Sequence, residues 1–182
     1  MNLLSAGELA ILDFIQHYLR CDFLDWLLPK ITVLGNSGIF WILMSIIFLW
    51  IRRYRTMGAE MASALLVCFL LGNLLLKPWV ARIRPYDLNP SMILLLKNPP
   101  IDFSFPSGHT YASFAAALIL YFHKKSWGVA AFLLAALIAF SRLYLYVHYP
   151  TDVLAGIALG LLIGWLSHKV IQTILRRRSA SS

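Results

Sequence analysis

Two stretches of the chain hold residues that packing in a membrane does not require. The first is Phe105-Pro106-Ser107-Gly108-His109, at the entrance to a run of Ala, Leu and Ile. Ser107 suits a helix N-cap, Gly108 lets a ligand come close to the backbone, and a starting helix offers free N–H groups and a positive dipole end. An oxyanion fits such a place, with His109 beside it; taken alone, the same residues fit a plain N-cap with an interfacial histidine. The second stretch is Ser141-Arg142, then His148-Tyr149-Pro150-Thr151-Asp152. Pro150 has the fixed φ of a first helical turn, so the chain is expected to bend near His148 and open a new helix that carries Asp152. A carboxylate held to one imidazole nitrogen fixes the tautomer and leaves the other nitrogen free to attack, while supporting the charge that develops. His109, across the pocket, could give a proton to a leaving oxygen.

Cations gather at the same face. Lys77, Arg82 and Arg84 follow one apolar run and Arg142 ends another. Arg84 and Arg142 offer planar forks matched to phosphate oxygens, and Lys77 adds a compact point charge. Any one of them could snorkel to lipid headgroups. Together, around two histidines, they suit a phosphate dianion. Arg82 could assist but stands outside the leading set.

The elements that must bring these residues together are set by composition. The chain has 182 residues, 60% of them hydrophobic and 13% charged, with six Trp and a mean hydropathy of +0.73. That describes an integral membrane protein. A bilayer core needs about 20 apolar residues per helical crossing, and long runs without alternation favour helices over a barrel. Apolar runs fall near residues 37–51, 59–76, 109–122, 127–147 and 153–175. The expected fold is all-α: a polytopic bundle of five to six transmembrane helices forming a single domain over 1–182. Residues 1–34 form an amphipathic segment that lies in the interface or half crosses, and 176–182 form a basic cytoplasmic tail. No removable leader is expected, so the mature chain would begin at Met1. Cys68 falls within a run, where a thiol acts as a small hydrophobe, and Cys21 has no paired spacing.

Arg52, Arg53 and Arg55, then Lys124 and Lys125, then Arg176, Arg177 and Arg178 fall at alternate ends of successive runs and share one side. That side should be cytoplasmic, and the histidine face extracytoplasmic. The net charge of +8 is then topological, with help from anionic lipid, and gives no case for nucleic acid.

The spacing of these residues resembles a known signature. Lys77, six residues, Arg84-Pro85; Pro106-Ser107-Gly108-His109; and Ser141-Arg142, five residues, His148, three residues, Asp152 are similar to the three-part motif of the type 2 phosphatidic acid phosphatase family. The resemblance covers roughly residues 20 to 175, with no departure at a motif position. It implies a helical bundle shared with acid phosphatases and vanadium haloperoxidases, with six crossings in the membrane branch and no metal. It also implies that His148 is the nucleophile forming a phosphohistidine, that Asp152 orients it and that His109 is the general acid. Lys77, Arg84, Ser107, Gly108 and Arg142 would bind the phosphoryl group.

The residues agree on the metal question. Of eight acidic residues in the chain, only Asp87, Asp102 and Asp152 lie on the active face, without HExxH or clustered carboxylates. No cofactor is expected, since fixed cations can stabilise the equatorial oxygens. The loop from Tyr86 to Phe105 holds Pro90, Pro99 and Pro100 around the apolar patch Ser91 to Asn98; it could dip into the outer leaflet and guide a lipid tail, or merely cover helix ends. The substrate class this suggests is a lipid phosphate or diphosphate, undecaprenyl diphosphate first, with phosphatidylglycerol phosphate or phosphatidic acid as rivals. A transporter would show broken mid-span helices or paired halves rather than polar residues at one face, and a vanadium haloperoxidase would not need the apolar spans. His17, His123 and His168 have no motif partners and are expected at the interface. Tyr144, Tyr146 and Tyr149 either line the pocket or pack.

Overall fold

The computed structural model describes residues 3–89 and 94–180, with side chains from 6 to 177 within those ranges. Among the described residues there are helices and loops and no strand. Helices α1 (Leu3–Phe14) and α2 (Asp22–Val33) are followed by α3 (Ile39–Trp50) and α4 (Arg55–Cys68). The last of these continues through a π-helical stretch, Phe69–Leu76, into the short α5 (Lys77–Val80). A single turn, α6 (Pro85–Leu88), precedes the loop that leads to α7 (Gly108–His123), α8 (Lys125–Tyr144) and α9 (Pro150–Ala180).

α7 is the axis of the bundle, packed by α4, α8 and α9. Its composition explains this. Ala115, Ala116 and Ala117 are fully buried, and side chains this small let neighbouring backbones close in, which is how helices associate where no hydrophobic driving force exists between them. The partner face on α9 is a glycine ridge at four-residue spacing. A Cβ on Gly156 would stand 3.0 Å from Ser107 O, one on Gly160 2.4 Å from Tyr111 O, and one on Gly164 2.9 Å from Ala115 O. Backbone contact along this ridge brings the starts of the two helices together, and Ser107 N–H donates to Asp152 O at 3.1 Å.

Among the described residues, three helical stretches are long and apolar enough to cross a membrane, Arg52–Leu88, Lys125–Tyr144 and Pro150–Arg177, and α2 with the helix after it, bent by 43°, passes as one broken span. α7, expected from sequence as a crossing, has only 16 residues. It rises about 24 Å, short of the ~30 Å hydrocarbon core. Most of its residues are covered by neighbouring helices rather than lipid.

The N-terminal segment is better anchored than its amphipathic pattern implied. Its polar side chains turn inward onto tyrosines: Tyr146 Oη donates to Asp13 at 2.7 Å, Tyr144 Oη to Asp25 at 2.6 Å, and Gln16 Nε2 to Tyr144 O at 2.5 Å. These bonds fasten α1 and α2 to the corner between α8 and α9. Tyr144, Tyr146 and Tyr149 are therefore buried packing and anchoring groups. In the long loop, Pro90 to Ile93 lie outside the described residues. Leu94, Leu95 and Leu96 pack against that same tyrosine corner, so this part of the apolar patch covers helix ends.

Candidate active site

Lys77 and Arg84 are each set by a local break in helix geometry. The π-helical stretch before α5 shifts the register so that Lys77, at the start of α5, is buried. Ala81 then adopts φ +47°, a left-handed turn that ends α5 and sends Arg84 back toward the loop. Between α8 and α9, Tyr146 holds φ +59°. An aromatic residue there is strained and persists only where its surroundings fix it, here through Asp13 and Asn89. The turn delivers His148, 2% exposed, just ahead of Pro150 at the start of α9, the bend expected from sequence.

Lys77, Arg84, Gly108, His109, Arg142 and His148 line one cavity of about 650 Å³. Six of the eight residues singled out in the sequence thus share a chamber. Ser107 and Asp152 stand behind it. Ser107 occupies the N-cap position of α7, but its hydroxyl makes no capping bond; Oγ accepts instead from Thr110 Oγ1 at 2.9 Å. Thr110 N–H and Tyr111 N–H donate to Ser107 O at 3.1 Å, so the partial positive charge of the α7 N-terminus lies at Gly108 and His109, which line the chamber. A Cβ on Gly108 would be in ordinary contact, 3.4 Å from Tyr111 Oη and 3.8 Å from Asn73 Oδ1. The glycine keeps room there for a ligand.

Asp102 holds Lys77 and Arg84 together. Its carboxylate pairs with Lys77 Nζ and accepts from Arg84 Nη2 at 2.5 Å, while Arg84 Nε donates to its carbonyl at 2.6 Å. Burial opposes ionisation of this carboxyl, yet Lys77 and Arg84 hold it below the usual carboxylate range. An anion is already seated where sequence reading expected one. Arg142 is 2% exposed, donates Nη1 to Thr32 Oγ1 at 2.6 Å, and its buried Nε has no partner among the described residues.

His148 Nε2 lies 3.3 Å from Arg84 Nη1. A guanidinium only donates, so Nε2 carries a lone pair and the proton sits on Nδ1. Nδ1 is 3.4 Å from Asp152 Oδ2, within ion-pair range but without a formed hydrogen bond among the described residues. The pairing expected from sequence is close but incomplete because the carboxylate is already engaged. Oδ2 accepts from Tyr149 N at 2.9 Å and Oδ1 from Arg82 Nη1 at 2.7 Å. Burial, reinforced by Arg84, Arg142 and Lys77, pushes the His148 imidazole well below its ordinary value and keeps it neutral. Across the cavity, His109 Nε2 is 2.9 Å from Asn36 Oδ1, and the ring lies close against Gly35, where a Cβ would stand 2.5 Å from its Cδ2.

Sequence reading missed Asn36, Thr32 and Glu8; it named Asp102 only as an acidic residue of the active face and Arg82 only as a possible aid to phosphate binding. Arg82 does not face the chamber: it forks between Asp152 and Glu8 and stacks on Tyr149, 3.8 Å from the ring centre. His123 and His168, expected at the interface without partners, meet Glu60 at the far end of the bundle.

A chamber with three buried cations, a helix N-terminus and an unprotonated imidazole nitrogen at its edge has the charge to hold an anionic group beside a nucleophile. The class that fold and chamber define is a membrane-embedded helical phosphatase. The chain belongs to the PAP2 superfamily, whose profile matches residues 56–176. It is 33% identical over 159 residues to an undecaprenyl-diphosphatase from Sulfolobus acidocaldarius, covering 86% of this chain and 75% of that one. The crystal structure of a transmembrane PAP2-type phosphatidylglycerolphosphate phosphatase from Bacillus subtilis superposes with a TM-score of 0.79 at 29% identity, over 96% of this chain and 89% of that one. A bacterial vanadium-dependent iodoperoxidase shares the fold, with a TM-score of 0.60 at 16% identity, over 90% of this chain and 47% of the peroxidase.

Proposed function

We propose that this protein hydrolyses a lipid diphosphate, undecaprenyl diphosphate in the first place, through a phosphohistidine on His148 and without a metal. The observation that carries the reading is the shape of the chamber. Beyond the polar end its walls are apolar: Ile42, Ile46 and Leu49 along one side of α3, and Leu65, Leu66 and Phe69 along the helix that follows. From Gly38 to Leu49 this cleft runs about 16 Å into the membrane. Ile42, Ile46, Leu66 and Phe69 are exposed at the bundle surface, so the cleft opens sideways to lipid. A phosphate on a long hydrocarbon can enter from the bilayer with its tail in the cleft.

The phosphoryl oxygens take the place of the Asp102 carboxylate against Lys77 and Arg84, with Arg142 and the N-terminus of α7, at Ser107 and Gly108, completing the cradle. The Nε2 lone pair of His148 attacks phosphorus. The bond to the bridging oxygen breaks, its electron pair stays on that oxygen, and His109 supplies the proton. Asp152 faces the Nδ1–H and stabilises the positive ring. Water, giving its proton to His109, then attacks phosphorus, and the P–N bond returns its electron pair to Nε2. Fixed cations take the part a metal would play. The basic clusters at the opposite end support an extracytoplasmic chamber and a cytoplasmic C-terminus.

The test is kcat/KM across a panel of lipid phosphates and diphosphates in EDTA-treated detergent solution. Undecaprenyl diphosphate should lead, and turnover should survive the chelator. Loss of turnover restored by Mg²⁺ would overturn the metal-free reading. Phosphatidylglycerol phosphate is the second reading, favoured by the 0.79 TM-score against the Bacillus subtilis enzyme; a lead for that substrate would select it.

A further inference from the structure

Far from the chamber, the sequence left Glu60, His123 and His168 without a role. Glu60 lies in α4, His123 ends α7 and His168 lies in α9. About 21 Å of helix separates His123 from His109. Glu60 is fully buried, yet both imidazoles converge on one of its oxygens: His123 Nε2 at 2.8 Å and His168 Nδ1 at 2.9 Å from Oε2. The side chains of His123 and His168 are 26% and 22% exposed, so the cluster is open to solvent on its histidine side. Gln172 Nε2 donates to the other oxygen, Oε1, at 2.8 Å, and the His168 ring stacks on Phe122 at 4.5 Å.

We propose that Glu60, His123 and His168 form a divalent-metal site of zinc type that ties the far ends of α4, α7 and α9 together. The donor atoms lie within 4.8 Å of one another. Tetrahedral zinc bonds of about 2.0–2.1 Å require ligand separations of roughly 3.3 Å, so each imidazole moves out from Oε2 by about half an ångström. Two imidazoles and one carboxylate, with a fourth position open to water, are the donor set zinc takes. Each ring stays neutral by passing its proton to its far nitrogen, His123 Nδ1 or His168 Nε2. The bond from Gln172 fixes the carboxylate, the outer support that metal-binding groups use. Lys124 and Lys169 adjoin the two histidines in sequence. Their charge works against any cation held by charge alone, so hard Mg²⁺ is excluded while nitrogen-preferring Zn²⁺ is retained. Such a clamp would hold the two helices whose opposite ends carry His109 and Asp152.

The experiment is calorimetric titration of the full-length, EDTA-stripped protein in detergent with Zn²⁺ and separately with Mg²⁺. One Zn²⁺ per chain should bind at about 1 µM or tighter, with no Mg²⁺ uptake, and Zn²⁺ should raise Tm. His123→Gln and His168→Gln should each weaken binding more than about tenfold and lose the Tm shift. Gln172→Ala, which removes a supporting bond and keeps all three donors, should weaken it about tenfold. Absence of wild-type Zn²⁺ binding by about 100 µM overturns the proposal. Undiminished binding by a folded His168→Gln variant overturns it as well, as it would place the ion elsewhere.

Discussion

At one end of the bundle two of three buried cations, Lys77 and Arg84, share a single carboxylate, Asp102, while the third, Arg142, is bonded to Thr32, and Arg142 Nε and His148 Nδ1 are left without hydrogen bonds among the described residues. At the other, a single buried carboxylate, Glu60, is shared by three donors from two helices. Both ends hide charge inside a membrane bundle, where an isolated charge is costly. They answer that cost differently. At the far end both carboxylate oxygens of Glu60 are satisfied. The chamber end is under-satisfied, with positive charge in excess, and such a site lowers its free energy only when an anion arrives. A polar group left incomplete beside a cavity marks a place kept for a ligand; a complete one marks a tie between helices.

That contrast is broken most severely by His148→Ala, which should lower kcat by about 10⁴-fold or more, as removal of other catalytic nucleophiles does, while a melt shows the fold intact. More than a few per cent of wild-type turnover would remove His148 as nucleophile. By contrast His123→Gln, at the far end, should leave kcat near wild type. Arg142→Ala comes next. Losing one charged donor to the developing oxyanion costs about 3 kcal/mol, on the order of a hundredfold in kcat. Arg142→Lys should recover little, because the bond to Thr32 and the planar fork are both lost. A variant that changes KM alone would show that Arg142 acts in ground-state binding.

The chamber was legible in the sequence to the extent that chemistry had local markers. Three motifs named eight residues, and six of them line one cavity. The helical bundle followed from hydropathy, and the bend before Pro150 from proline geometry. What escaped were partners whose roles depend on contacts across the bundle. Thr32 and Asn36 are ordinary polar residues until Arg142 and His109 lie against them. His123 and His168 lacked any local motif because Glu60 lies 63 and 108 positions away. The Gly156, Gly160 and Gly164 spacing was visible and its meaning, close packing on α7, went unread. α7 was expected as a crossing like the others, since hydropathy does not reveal that protein rather than lipid covers it.

Acidity tests the chamber more gently. The neutral His148 imidazole is held below its ordinary value by burial and by Arg84, Arg142 and Lys77. Attack needs the lone pair, so kcat/KM should show no loss from this group between pH 8 and about 6.5. Loss begins only as pH falls through the depressed value. Stability has the same sign: the unfolded chain takes up the proton first, so this contribution is complete above about pH 6.5 and is lost as pH falls toward the folded value. An acid limb centred at or above pH 6.5, absent in the most active pH-matched mutant of another residue, would contradict a neutral, buried His148.

The smallest expected effect tests whether the N-terminal helix belongs to the chamber at all. Glu8, 5% exposed in α1, accepts from Thr151 N at 3.0 Å and Thr151 Oγ1 at 2.5 Å through one oxygen, and pairs with Arg82 through the other. Arg82 in turn holds Asp152, the carboxylate facing His148. Glu8 lies outside residues 56–176, the part matched by the family profile, and touches neither imidazole in any recorded bond; it can act only by fixing the angle of Asp152. Glu8→Gln keeps the acceptor for Thr151 but turns an amide toward Arg82, freeing that fork to pull on Asp152. A small misalignment of an orienting group is worth about three- to tenfold. The expected result is that loss in kcat with KM unchanged, and a partial recovery in Glu8→Asp. A variant with wild-type kcat would confine α1 to fastening the tyrosine corner, and a rise in KM alone would place Glu8 on the path of the substrate instead.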